Sequence, residues 1–344
     1  MDRSLILRWT KRFLLGIGCF IVLAVLAGAG FETFMRWQAS RQYPVSGKLV
    51  DIGGRKIQID CRGKGSPTVV LESGLDAFGS LSWATVHDEI AQITRVCAYS
   101  RAGILWSDPT TDTFDSKNVA QDLHSALTKG GETAPWVMVG HSLGGPYIMM
   151  FTSLYQSEVA GLVFVDASHP DQLAPLRKII GKSLNTVPSS RILLAEALAK
   201  IGLVRLGSMA NTPPNVPPLV NQVEQAYFAQ NIGSLLKEVQ SSGAAIAAAG
   251  HFRQLGDRPL VVLTAMKKLS SDELQKMGIS QEQEMQIQAL WKQLQADQAT
   301  WSTRSRHEIV PDASHYIQFD RPDVVIKAVR EVVINVRKTK AKSQ

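Results

Sequence analysis

The chain has 344 residues, room for one large domain or two ordinary ones, and its 45% hydrophobic and 19% charged content marks a globular protein with a substantial core. Its net charge of +7 is concentrated at the ends: residues 1–48 carry seven Lys/Arg against two Asp/Glu, and residues 337–344 add four basic residues and no acid. The body between them is close to neutral and has no basic face interleaved with aromatics, which argues against nucleic acid as a partner.

The first element is a run of 19 uncharged residues, 13–31, preceded by Arg3, Arg8, Lys11 and Arg12 and followed by Glu32 and Arg36. That length spans a bilayer core as a helix. The positive cluster before it predicts a cytoplasmic N-terminus and a body outside the cytoplasm. The competing reading is a signal peptide cleaved near Ala27-Gly28-Ala29, giving a secreted or periplasmic domain. A buried core helix fits poorly, because the run is apolar on every face. Residues 1–40 are therefore expected to form a membrane anchor or signal segment. Cys19 lies within it, leaving Cys61 and Cys97 as a pair that either bridges in an exported domain or stays as two buried thiols.

From Val45 onward strand-like and helix-like segments alternate, the pattern of an α/β domain. Strands are expected at 47–52, 56–61, 68–72, 95–99, 136–140, 161–166, 259–264 and 304–310. The first two are joined by Gly53-Gly54, a hairpin signal. Several are unbroken apolar runs, as expected where both faces of a sheet are covered. Helices are expected near 82–93, 116–128, 143–155 and 322–336. Between residues 170 and 257 the strand pattern disappears. Two helical stretches, 175–201 and 219–249, flank a proline-rich linker at 211–218 that cannot be helical. This insertion reads as a lid. A second insertion, 270–300, is rich in Gln and Glu with apolar residues at helical intervals, and is read as a solvated helix. The expected domains are an α/β core at 45–169 and 257–338, a helical lid at 170–256, and a basic tail at 339–344. No internal repeat, metal-ligand cluster or P-loop is visible, so no cofactor and no metal are expected.

The most informative stretch is VMVGHSLGGPYIMMF, residues 137–151. A buried strand runs into Gly140-His141-Ser142-Leu143-Gly144, followed by apolar positions at helical spacing. G-x-S-x-G between a strand and a helix is a nucleophile elbow, with Ser142 in a strained backbone conformation and Gly140 and Gly144 where the turn crowds. A serine hydroxyl needs a base oriented by a third group. Of His87, His124, His141, His169, His251, His307 and His315, only His315 follows the last strand, in a loop at the carboxyl edge of the sheet within reach of the serine. One backbone N–H of an oxyanion hole is expected from Leu143, the residue after the nucleophile.

With these residues the chain resembles the α/β-hydrolase superfamily across about residues 45–336. The matching pieces are Leu71-Glu-Ser-Gly74, Tyr99-Ser-Arg-Ala-Gly103 with Trp106-Ser-Asp108, Gly140-His-Ser-Leu-Gly-Gly145, and Ala313-Ser-His315 before Pro322. The resemblance implies an eight-stranded, mostly parallel sheet flanked by helices, with its second strand antiparallel and a helical lid after the sixth. It makes the second and fourth strands neighbours, which brings Cys61 to Cys97. It places the second oxyanion N–H at Leu75. Where family members often show Asp-Arg-x-Gly-x-Gly, this chain has Ser100 and Leu105, a departure that concerns loop geometry rather than the catalytic set. For the acid, the resemblance offers two places: Asp166, at the tip of the sixth strand, and Asp272, late after the seventh. Asp166 is preferred.

The expected activity is a serine hydrolase of the carboxylesterase or lipase kind, cleaving an ester through an acyl-enzyme on Ser142, His315 and Asp166. Its partners would be a small substrate with an apolar acyl group, and a membrane through the first helix. Acyl transfer, or amide or carbon–carbon bond hydrolysis, on the same residues are alternatives, as is a non-catalytic member that binds ligands in the pocket. A serine at the elbow disfavours epoxide opening, which calls for an aspartate.

Overall fold

The computed structural model describes residues 3–181, 187–207, 213 and 215–343. It opens with a single 40-residue helix, α1 (Arg3–Gln42), which contains an 18-residue window of mean hydropathy 2.5 with none of it buried. By length and composition this helix is able to cross a membrane.

Then follow β1 (Lys48–Asp51), β2 (Lys56–Arg62), β3 (Thr68–Glu72), α2 (His87–Ala91), β4 (Val96–Ser100), α3 (Ser116–Lys129), β5 (Trp136–His141), α4 (Gly144–Leu154) and β6 (Val159–Val165). Among the described residues, four helices come next, α5 (Leu173–Ile180), α6 (Ser189–Lys200), α7 (Leu203–Gly207) and α8 (Pro218–Ala249), before β7 (Leu260–Ala265). The chain ends with α9 (Ser271–Met277), α10 (Gln281–Gln298), β8 (Ser305–Val310), α11 (Ile317–Asp320) and α12 (Pro322–Ser343).

The eight strands form one sheet in the order β1-β2-β4-β3-β5-β6-β7-β8, with β2 antiparallel to both neighbours and every later pairing parallel. Successive side chains point to opposite faces. Val70, Met138, Phe164 and Val262 therefore join the core under α3, α4 and α8, while Val69, Leu71, Val139, Val163 and Leu263 join the core under α12. Helices on both faces account for the unbroken apolar runs. Pairing Cys61 directly opposite Cys97 places their sulfurs in bonding distance, and they form a disulfide.

Register decides what meets at the carboxyl edge. Glu72 of β3 pairs with Gly140 of β5, and His141 pairs with Val165 of β6. The chain segments that follow these three strands consequently emerge side by side.

The structure differs from the expectation in four places. The helix expected at 82–93 is a 3₁₀ turn, Gly79–Trp83, followed by the short α2. Trp83 and Val86 are both fully buried, and Val86 departs from helical geometry, at φ −122°, just before α2 begins. The stretch 175–201 is not one helix, because Gly181 caps α5 at φ 70°, a left-handed conformation that glycine adopts freely. Residues 182–186, and part of the linker at 211–218, lie outside the described residues. The 270–300 insertion is two helices with capping boxes at Ser270 and Ser280, and Gln295 and Gln298 are buried against the core, so it is not simply a solvated helix. The basic tail continues α12 to Ser343, where lysines suit the negative end of the helix.

Candidate active site

The turn between β5 and α4 leaves no space for side chains at its glycines. A Cβ on Gly140 would lie 2.7 Å from the Gly144 carbonyl oxygen, and one on Gly144 would lie 2.5 Å from that of Glu72. Between them Ser142 sits at φ 52°. Its N–H donates to Val165 and its carbonyl accepts from Ser168, so β6 and the loop after it hold the strained residue in place.

Asp166 follows β6 directly and is also left-handed, at φ 46°. Its Oδ1 accepts from the Ala265 N–H at 2.9 Å and from Trp291 Nε1 at 2.7 Å. Its Oδ2 lies 2.6 Å from His315 Nδ1, and His315 Nε2 lies 2.9 Å from Ser142 Oγ. A carboxylate only accepts, so it selects the tautomer with the proton on Nδ1 and the lone pair on Nε2 facing the serine hydroxyl. Asp272, the other acid considered, is exposed in the first turn of α9. Leu143 is buried at the start of α4, and Leu75 is half-buried beyond β3. Among the described residues neither N–H has an acceptor within the chain.

A cleft of about 420 Å³ opens on Ser142, Asp166 and His315. Its far walls are Leu176 of α5, Met266 and Lys267 after β7, and Ile287 and Trp291 of α10.

The model of the alpha/beta hydrolase family matches residues 69–328. This chain belongs to the α/β-hydrolase family. Epoxide hydrolase 3 of Xenopus tropicalis is 24% identical over 298 residues, covering 83% of this chain and 76% of that protein. The protein YbdG of Bacillus subtilis is 26% identical over 127 residues, 37% of this chain and 39% of its own length. A thermophilic esterase from Thermogutta terrifontis shares the fold, with a TM-score of 0.54 at 20% identity, covering 84% of this chain and 98% of that one. The chain spans 39% or less of the length of the first curated relatives it matches.

In this α/β hydrolase the site also depends on residues to which the sequence analysis assigned no role. Trp291 comes from the second insertion, and its indole N–H joins the acid at the centre. A tryptophan among glutamines was the available signal. His141, the second residue of the elbow motif, is fully buried and its Nε2 lies 2.8 Å from the His315 carbonyl oxygen. Burial, with the His315 imidazole close by, holds its pKa well below the ordinary value, so it stays neutral and donates to that carbonyl. Gly74 packs against this ring: a Cβ there would lie 2.8 Å from His141 Nδ1.

Arg101 is the third. Its guanidinium, 2% exposed, pairs with Glu72 at 2.6 Å and Glu238 of α8 at 2.8 Å, and donates to the carbonyl of Ser73 at 2.9 Å. It fixes the segment leading to Leu75 and ties α8 to the sheet. Burial raises the Glu72 carboxyl to about 7 against the pull of Arg101. An arginine directly after a buried strand was the signal here. Of the two departures from the family loop, Ser100 Oγ donates to Gln58, and Leu105 adopts φ 48° while fully buried. The backbone keeps the left-handed turn that a glycine would take there.

Proposed function

We propose that this α/β hydrolase is a serine hydrolase that cleaves a carboxylic ester through an acyl-enzyme. The observation that carries the reading is the single imidazole of His315 within hydrogen-bonding distance of both Ser142 and Asp166. His315 Nε2 takes the proton as Ser142 Oγ attacks the carbonyl carbon, and Asp166 stabilises the resulting imidazolium. The N–H groups of Leu143 and Leu75 receive the charge that forms on the carbonyl oxygen. His315 returns the proton to the departing alcohol, then takes one from the water that attacks the acyl carbon and passes it to Ser142 Oγ as the acyl bond breaks and the acid leaves.

The cleft's apolar lining at Leu176, Met266, Ile287 and Trp291 supports a substrate with an apolar acyl group. Helices α5–α8 act as a lid. α1 anchors the domain to a membrane, and the basic residues before its apolar run favour a catalytic domain outside the cytoplasm. Epoxide opening is disfavoured, because Ser142 stands where an attacking aspartate would be needed. A fluorophosphonate probe is expected to label the folded protein at Ser142, and the Ser142→Ala variant is expected to lose both label and turnover of p-nitrophenyl esters. Folded wild-type protein that takes no label at Ser142 would contradict the proposal.

A further inference from the structure

Helix α1 stands clear of the domain through most of its apolar run and docks only near the end of it. Residues 6–27 are all exposed, and Gly28 is the first position to be partly covered. A Cβ on Gly28 would lie 2.4 Å from the Ile201 carbonyl oxygen, and one on Gly202 would lie 3.1 Å from the Phe31 ring. The turn joining α6 to α7 therefore rests directly on α1. One helical turn further on, buried Glu32 takes Arg205 of α7 at 2.6 Å.

These contacts set a depth. A hydrocarbon core of about 30 Å holds roughly 20 residues of helix. Counted from Phe13, after the last basic residue of the N-terminal cluster, that span ends near Glu32. The α6–α7 turn and α7 pack against its last four residues or so, about 6 Å of helix. Interfacial helices bury their apolar faces to about 5–10 Å. α7 is suited to that place. Leu203 and Leu206 are three positions apart, on one helix face, and both are exposed, Leu206 at 78%. Phe31, Phe34 and Trp37 of α1 are exposed within two helical turns of Glu32, and Lys200 places an exposed positive charge just before α7.

We infer that α7 is an interfacial membrane segment, with Leu203 and Leu206 immersed at the boundary between lipid headgroups and acyl chains. The inference rests on the reading of α1 as a membrane helix. Its occupant is the bilayer, because the segment sits at the depth of a membrane span and carries exposed leucines beside the exposed Lys200. The helical insertion is then held by lipid as well as by protein.

Collisional quenching in phosphatidylcholine–phosphatidylglycerol vesicles tests both readings separately. Cys61 and Cys97 are bridged, so Cys19 is the one free thiol among the described residues. A fluorophore is attached to Cys19 in the full chain, to Leu206→Cys in a Cys19→Ser background, and to Lys117→Cys, an exposed position of α3, in the same background. Loss of fluorescence to acyl-chain nitroxides, but not to aqueous iodide, is expected at positions 19 and 206, with the reverse at 117. Lipid quenching at 19 with iodide quenching at 206 overturns the inference and leaves the anchor standing. Iodide quenching at 19 removes both. Protection of 206 from both quenchers overturns it in favour of a protein contact. Leu206 is so exposed that its substitution leaves packing intact, and an unchanged melting curve verifies this.

Discussion

Two adjacent strands each end in a non-glycine residue with positive φ, Ser142 and Asp166, and each such conformation costs on the order of 1–3 kcal/mol. The bonds that hold them come from neighbouring strands, so the strain is sustained by the sheet and spent on aiming two side chains at His315. Asp166 has three donors, one of them the Trp291 indole. Asp166→Asn leaves the shape but favours the wrong histidine tautomer, and is expected to lower kcat by on the order of 10⁴. Asp272→Asn should leave it unchanged, and Trp291→Phe should lower it by about 10- to 100-fold through one lost bond to a charged acceptor. Steady-state turnover of a p-nitrophenyl ester by the three variants measures this. Glu224 on α8 is buried, with Oε2 lacking a partner among the described residues, and burial and then the Asp76 carboxylate raise its pKa from 4.5 to about 7. The native state thus keeps a proton that the unfolded chain has already lost, and stability falls as pH rises from about 4.5 to about 7. Glu224→Gln should therefore raise the melting temperature by several degrees at pH 8 and change it little at pH 4. Calorimetry at the two pH values reads the difference.

At the scale of elements, β2 is stapled to β4 rather than merely paired with it. Cys61 and Cys97 lie 36 residues apart in sequence, and closing that loop removes about 4 kcal/mol of freedom from the unfolded chain. Cys61→Ser with Cys97→Ser is expected to lower the melting temperature by roughly 10 °C, as should a reductant added to the wild type, measured by circular dichroism. Helix α8 is fastened differently, through Glu238 to a buried arginine that also holds the Ser73 carbonyl. Taking the guanidinium away would leave two carboxylates buried without their counter-ion, which is why such a network works as a unit. The strands were legible because burial on both faces makes them continuous apolar runs with fixed lengths. Helix α2 was legible only as part of a longer helix, because the departure of buried Val86 from helical geometry leaves no mark on the apolar pattern. The 270–300 helices were legible as helices, while the face they turn to the site was not. Their Gln-rich composition looks solvated until Gln295 and Gln298 are seen bonding the carbonyls of Ala167 and Ser168.

For the molecule as a whole, α1 is two things in one helix: a free apolar part to residue 27, and a part from Gly28 onward packed on α6, α7 and α8. A cut at residue 40, natural from the sequence, would remove the Glu32–Arg205 pair and the buried Ala39. A chain starting at Gly28 is expected to keep the melting temperature of the full protein, whereas one starting at Val45 should melt several degrees lower. Differential scanning of the two truncations in detergent decides it.

The sequence by itself determined the strand order's raw material, the sharp turn at Ser142, the loop that carries His315 and the apolar first helix. Each of these is a local pattern: a run, a spacing or a turn that only certain side chains permit. Tertiary structure decided which acid faces His315, that Trp291 joins it, that Arg101 binds α8 to the sheet, and that the first helix is partly docked. Those depend on which distant segments share a sheet edge or a helix face, and strand register and packing, not adjacency along the chain, set that.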